Sequence, residues 1–499
     1  MNTFARSVSS VFLGILQFAL SFAQSIIIVP IILSYWSTGK YGLWLSCFAF
    51  FNLMRTLDAG HQAWVSNEFM RLYHINFEEA KEVLGSSIRI GLMVGFIELL
   101  IYVVAIAIGF DSNLVGFNTD KNINIGIIAM LFMWFLVGSA GGIIVKVILP
   151  MGLYNRTMIW GIINRVIEII LLLCTVLFSW EISNSLIIFS ISLTIYSFIM
   201  LTDIKNQNHQ LFPWWQTGSF RQGFKGFSTS LLLTINGFID QFSTSGILIM
   251  IGNMGTPSMI PIFTTLRTVS NVFLQGNQIT INPIVPDIVR YHAQDEKSKI
   301  ISVFKINWWT MHFLLNLPIL LLLPFIQPLY EWWTKGKLPY DQFLSYSLMG
   351  AIALISYGKV MMIYLSSINH FKTLFSTSLA RIIILIPITY LSLRYFGLTY
   401  IGVGICISEL FAALILPIYF SYRLIGKSYD LTELKWPFIS LILFFSFLVI
   451  AFIQFISIWL YSIAVISVFS LILFAEWKGL PSHFKSMVRI FIKSKMRKI

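Results

Sequence analysis

Long apolar runs, each closed by a short polar or basic cluster, recur along the whole chain. Runs at 11–35, 41–60, 86–109, 123–148, 159–179 and 185–201 are followed by runs at 227–251, 258–281, 304–333, 343–369, 373–395 and 400–424, and then by 436–456 and 457–476. A helix rises 1.5 Å per residue, so about 20 residues cover the roughly 30 Å of a bilayer's hydrocarbon core. The pattern therefore predicts about fourteen transmembrane helices. A membrane barrel would show short segments of alternating polarity instead, and no such alternation is present. The first run, Val11 to Trp36, is too long for a signal-peptide core and lacks a small-x-small cleavage site, so it reads as a retained first span.

The first twelve spans fall into two sets of six. A shift of 216 positions brings the starts of the first six close to those of the second six. It also lays Lys81 on Lys297, Arg89 on Lys305, Arg156 on Lys372 and Arg165 on Arg381. Eleven and fifteen basic residues placed at random over 216 positions would coincide about 0.8 times. The same shift carries Gly39 onto Gly255, and Gly60 and Gln62 onto Gly276 and Gln278. Duplication on this scale builds many secondary transporters. Six spans per copy is an even number, so both copies point the same way, about an axis along the membrane normal.

The organisation that follows is a six-helix lobe over residues 1–201, a cytoplasmic connector over 202–226 and a second six-helix lobe over 227–424. Two extra spans at 436–476 and a basic amphipathic tail at 477–499 complete it. In the tail Phe484, Met487, Val488, Phe491 and Ile492 stand at helical spacing opposite Lys485, Arg489 and Lys493, as in an interfacial helix. In the connector, Pro213-Trp214-Trp215 is expected at headgroup level.

Composition fits this class and narrows it. The chain is 57% hydrophobic and 11% charged, against about 25% charged in soluble domains. The net charge of +13 needs no nucleic acid. Outside the spans, 22 basic residues fall on the side of the N-terminus and 5 on the other, which by the positive-inside rule puts both termini in the cytoplasm, beside anionic lipid. The three cysteines are odd in number and lie in apolar runs, so no disulfide framework or metal site is expected. There is no HExxH or CxxC, and Gly426-Lys427-Ser428 lacks the earlier glycine of a phosphate loop, Ser421 standing in its place. Neither catalytic residues nor a cofactor is expected.

The chemistry lies in the charges within the spans. Seven are basic (Arg55, Arg89, Lys146, Arg165, Arg267, Lys359, Arg381) and five acidic (Asp58, Glu98, Glu168, Asp240, Glu409). Each costs about 2.5–3.5 kcal/mol at a helix centre facing lipid, so such residues face a bundle interior or an aqueous cavity. Arg89 and Lys146 sit near cytoplasmic ends and can snorkel. Arg55 with Asp58, and Arg165 with Glu168, are three residues apart and can pair on one helix face. Arg55, Asp58, Arg165, Arg267, Lys359 and Arg381 form the candidate translocation cavity, and Asp240, Glu98 and Glu409 are the candidates for ion coupling. With Arg89 and Lys146 set aside, the balance is five basic to five acidic, which leaves the sign of the lumen open. Gly91 with Gly95 and Gly138 with Gly142 suit close helix packing. Asn236, Gln275, Tyr357 and Trp134 could either pack or meet sugar hydroxyls.

Three stretches carry a family resemblance: Gly39-Lys40-Tyr41-Gly42-Leu43-Trp44, Leu57-Asp58-Ala59-Gly60, and the N-terminal apolar stretch ending near Pro30. With them the chain resembles bacterial lipid-linked oligosaccharide (O-antigen repeat-unit) flippases of the polysaccharide transporter family. That family belongs to the multidrug/oligosaccharidyl-lipid/polysaccharide exporter superfamily. The resemblance implies an all-α, V-shaped, multi-pass inner-membrane transporter that moves undecaprenyl-diphosphate-linked oligosaccharide outward by alternating access, for O-antigen or another surface polysaccharide. It further implies membrane lipids, H+ or Na+, and polymerase and chain-length proteins as partners. An ion-coupled multidrug exporter of the same superfamily is the alternative within transport. A membrane glycosyltransferase, polymerase or ligase is the alternative from another class, and the short outer loops weigh against it.

Overall fold

The computed structural model describes residues 3–281, 284–368, 370–426, 431–453, 457–482 and 484–486. Among them there are helices and turns and no strand. The main helices are α1 (Phe12–Tyr35), α2 (Thr38–Met54), α3 (Ala59–Tyr73), α4 (Phe77–Ala107), α5 (Lys121–Ile148), α6 (Tyr154–Leu177), α7 (Ile182–Gln207), α8 (Phe220–Gln241), α9 (Ile247–Met254) and α10 (Met259–Ile281). After a short helix at Val285–Ala293 come α11 (Lys297–Trp333), α12 (Gln342–Ser367), α13 (Phe371–Tyr395), α14 (Leu398–Ile425), α15 (Lys435–Ile453) and α16 (Ile458–Trp477). Among the described residues each predicted span falls mainly on helix, and the chain is a multi-pass membrane protein.

Eleven helices among the described residues are long and apolar enough to cross a bilayer. The predicted spans at 41–60, 227–251 and 258–281 are not among them, for local reasons. Span 41–60 is interrupted: α2 stops at Met54, and turns bonded i to i−3 (Thr56 to Leu53, Leu57 to Met54, Ala59 to Thr56) precede α3. Span 227–251 runs through α8 and α9, which a π turn at Phe242–Gly246 joins, and carries Asp240 followed by the polar residues Gln241, Ser243, Thr244 and Ser245, which lower its mean hydropathy. The helix α10 carries Arg267 within a run of threonines and polar residues.

The helices gather into two compact units, one of residues 1–262 with 333–338, the other of 263–332 with 339–499. In the first unit α5 packs between α4 and α7, α6 lies against α1 and α7, and α8 lies across α3 and α4. The last contact follows from a glycine. A Cβ on Gly60 would lie 2.1 Å from the Thr234 nitrogen, so α3 and α8 approach backbone to backbone. Gly42 does the same against the Pro257 carbonyl. Of these two glycines of the family-like stretches, Gly60 is thus a point where two helices touch and Gly42 one where α2 meets the turn between α9 and α10. The units divide the chain by contact, and they place α8 and α9 with the helices before them.

In the second unit α12 is the central helix. α11, α13, α14 and α15 surround it, and Met349, Ala353, Tyr357, Val360 and Met361 along it are fully buried. The predicted tail helix lies mostly outside the described residues: Met487, Val488, Phe491 and Ile492 are not described, whereas Phe484 packs on Trp309 and Trp477.

Candidate functional site

Two cavities, of about 470 and 490 Å³, open into the first unit and meet at Phe51, Arg55, Glu168 and Leu193. The wall of the first is built from two helical rows. On α5, Trp134, Gly138, Gly142 and Lys146 follow one another at every fourth position, and on α6 Thr157, Gly161, Asn164 and Glu168 do so at every third or fourth. Gln17, Tyr154, Trp160 and Tyr196 add amide and aromatic surface. The second cavity is lined by Gln24, Ser25, Tyr41, Trp44, Asn52 and Arg165, among others.

Charge in this space is predominantly positive. Arg55, Lys146 and Arg165 face it against one carboxylate, Glu168. The Arg165–Glu168 pair predicted from spacing is present, Arg165 Nη1 lying 3.0 Å from Glu168 Oε2 and also donating to Gln24 Oε1 at 2.7 Å. Asn164 Nδ2 donates to the other Glu168 oxygen at 2.8 Å.

The companion pairing of Arg55 with Asp58 does not form. Three-residue spacing places two side chains together only on an unbroken helix, and the chain turns between Met54 and Ala59. Arg55 is left exposed on both cavity walls. Asp58 points away from it into the protein, fully buried, accepting from Ser139 Oγ and, at 3.0 Å, from Gln62 Nε2. Its Oδ1 has no hydrogen-bond partner.

Lys146, which snorkelling would send to the headgroups, stands on the cavity wall instead. The four-residue row shared with Trp134 and the two glycines was the sequence signal for this. Arg89 also does not snorkel freely: it donates to the Thr217 and Trp215 carbonyls at 2.6 and 2.7 Å, fastening the connector to α4. Gly91 and Gly95 do serve packing, since a Cβ there would lie 2.8 Å from Ser139 Oγ and 3.0 Å from the Phe135 Cα.

The three ion-coupling candidates have different surroundings. Glu98 is fully buried on α4, and neither of its carboxylate oxygens has a hydrogen-bond partner. Asp240 is exposed on α8 and is on neither cavity wall. Glu409, in the second unit, is paired across helices with Arg381, at 2.9 Å from Nε and 3.2 Å from Nη2. Arg267 and Lys359 also belong to the second unit and are half-buried, Arg267 over the Phe263 ring at 5.9 Å. Of the four residues named for sugar contact, Trp134 lines the first cavity, whereas Tyr357 is sealed in the core of the second unit.

No protein-family model matches the sequence, and no curated protein matches it. Solved structures do match the fold. Lipid II flippase MurJ, in an inward closed conformation, superposes with a TM-score of 0.62 at 14% identity over 95% of this chain and 100% of that chain. A multidrug resistance MATE family transporter of the MOP superfamily, inward-facing, gives 0.60 at 14% identity over 82% of this chain and 94% of that one. A MOP superfamily transporter from Pyrococcus furiosus Vc1, described with a binding pocket of reverse polarity, gives 0.51 at 14% identity over 84% and 95%. The chain has the all-α fold of MOP-superfamily transporters.

Proposed function

We propose that this chain is a flippase for an undecaprenyl-diphosphate-linked oligosaccharide, carrying it from the cytoplasmic to the outer leaflet of a bacterial inner membrane for O-antigen or another surface polysaccharide. The observation that carries the proposal is the cavity surface of the first unit, where three cations face one carboxylate among tryptophans, tyrosines and amides. A diphosphate loses its hydration on leaving water. Arg55 and Lys146 can replace that hydration with charge-assisted hydrogen bonds, each worth about 1.5–3 kcal/mol. Trp134, Trp160, Tyr154, Asn164 and Gln17 supply the stacking faces and amides that sugars use. The lipid tail stays in the bilayer. The two six-helix lobes alternate access, with both termini cytoplasmic, and H+ or Na+ couples the cycle. Among the three coupling candidates, buried and unpartnered Glu98 suits that role best.

The alternative, a cation-exporting multidrug transporter, draws on Glu168 as a cavity carboxylate and on the MATE neighbour. Proteoliposomes separate the two. Flipping of a fluorescent undecaprenyl-diphosphate oligosaccharide is expected from the wild type, with KM raised about tenfold or more in Lys146→Met and Arg55→Met, the loss of one charge-assisted bond. A wild type that moves no lipid, but exports a cationic dye in a manner abolished by Glu168→Gln, overturns the flippase reading.

A further inference from the structure

In the second unit a cavity of about 340 Å³ opens where α11 closes, α12 begins, α15 ends and α16 starts. That volume is at the lower end of the range for small-molecule sites. Six polar side chains line it: Gln327 on α11, Tyr340 just before α12, Gln342 and Tyr346 on α12, and Ser457 and Tyr461 at the start of α16. Leu323, Ile450 and Ile458 supply apolar wall between them. Its floor is buried, since Leu323, Tyr346 and Tyr461 are 2%, 8% and 3% exposed, whereas Gln327, Ser457 and Ile458 at its mouth are exposed. Trp332 and Trp459, close to the mouth in sequence, are 79% and 81% exposed, as tryptophans are at a membrane–water boundary. The mouth therefore lies at headgroup depth.

We propose that this cavity binds an uncharged sugar ring, carried on a neutral glycolipid or free in water. None of the described residues lining it is charged. The carboxylates next to it in the chain are already engaged: Asp341 accepts from the Leu344 nitrogen at 2.9 Å and from Thr399 Oγ1 at 2.6 Å, and Glu331 accepts from Gln327 Nε2 at 2.9 Å. A phosphate entering this space would lose its hydration with no cation to replace it. Hydroxyls and primary amides, by contrast, both donate and accept. A sugar hydroxyl does the same, so each can be met in either sense. The tyrosine rings add apolar faces for the C–H side of the sugar. The backbone contributes as well: Pro328 has no N–H, so the Pro324 carbonyl on the cavity wall lacks its usual i+4 donor.

An interfacial aromatic belt does not account for these tyrosines. Belt residues stand toward lipid and headgroups, as Trp332 and Trp459 do, whereas Tyr346 and Tyr461 are buried on the cavity floor. The Tyr461 hydroxyl reaches the Phe447 carbonyl only at 3.5 Å, longer than a normal O–H···O bond. A ligand hydroxyl at ordinary distance would be the better partner. The cavity shares no residue with those of the first unit, and its ligand is the same whichever cargo they carry.

The test is photo-crosslinking of the full-length protein in phosphatidylcholine nanodiscs that carry monoglucosyl diacylglycerol with a diazirine on its glucose, the labelled peptides being read by mass spectrometry. Labelling is expected within 323–327, 340–346 and 450–461, and excess unlabelled glycolipid should suppress it in the wild type. Gln342→Leu removes an amide from the wall and should lower labelling about three- to tenfold, as the loss of one neutral hydrogen bond does. Ala451→Phe fills the cavity, Ala451 being on its wall, and should abolish labelling with an unchanged melting temperature. Suppression by methyl glucoside in the water phase as well would support a site for free sugar, and suppression by the glycolipid alone a site for its headgroup. Labelling that no unlabelled sugar suppresses, that persists in Ala451→Phe, or that phosphatidylglycerol with a diazirine on its glycerol matches, overturns the proposal.

Discussion

Arg381 and Glu409 offer the sharpest quantitative test of how charge is handled inside this fold. Their side chains are 15% and 10% exposed and meet at 2.9 and 3.2 Å between α13 and α14. Arg381→Met would take away the hydrogen-bonded partner of the Glu409 carboxylate and leave it the Coulombic attraction of Arg267, and removing one member of a buried pair costs up to about 3–5 kcal/mol. At about 1.4 kcal/mol per tenfold, that cost lowers the folded population relative to unfolded by roughly two to nearly four orders of magnitude. Glu409→Leu alone removes the carboxylate that the guanidinium pairs with and should also destabilise the fold. The double variant removes both charges and is expected to be near neutral, because a well-packed apolar pair avoids the desolvation of two ions. Equilibrium unfolding in mixed micelles, read as a double-mutant cycle, gives the coupling directly. A coupling below about 0.5 kcal/mol, within the error of additive sites, would refute the reasoning. Glu409→Gln with unchanged stability and lost ion coupling would return Glu409 to the transport chemistry.

Two further outcomes follow from the packing. Gly60→Ala puts a Cβ 2.1 Å from the Thr234 backbone, so α3 and α8 must separate, at about 1–3 kcal/mol of overpacking. Gly39→Ala, with nothing within 4 Å, should raise stability by up to about 1 kcal/mol through helix propensity, and thermal melts of the two variants should move in opposite directions. Arg89→Ala removes both donors to the Trp215 and Thr217 carbonyls. Amide exchange over 214–218 should accelerate about tenfold or more while α4 itself remains protected, and equal loosening of α4 and the connector would contradict the anchoring argument.

Hydrophobic run length alone determined that this chain is an all-helical, multi-pass membrane protein, because in lipid every backbone group must be bonded within its own segment. The Arg165–Glu168 pair and the packing of Gly91 and Gly95 were legible for the same reason: they depend on positions three or four apart on a continuous helix. Arg55 and Asp58 have the same spacing and did not pair, because their helix breaks between Met54 and Ala59, and Asp58 turns to Ser139, 81 residues away. Only the tertiary structure decided the sign of the cavity. The sequence count was five against five, and folding removed Asp58 and Glu98 into the interior, paired Glu409 with Arg381, and turned Lys146 onto the wall. The approach of His312 Nε2 to Glu476 Oε2 at 2.8 Å in the core of the second unit was equally out of reach, since the two residues stand on different helices far apart in the chain. A one-dimensional pattern shows which face of a helix is polar, but not which distant face it meets; that is set by where the glycines let backbones approach and where each buried polar atom finds a partner.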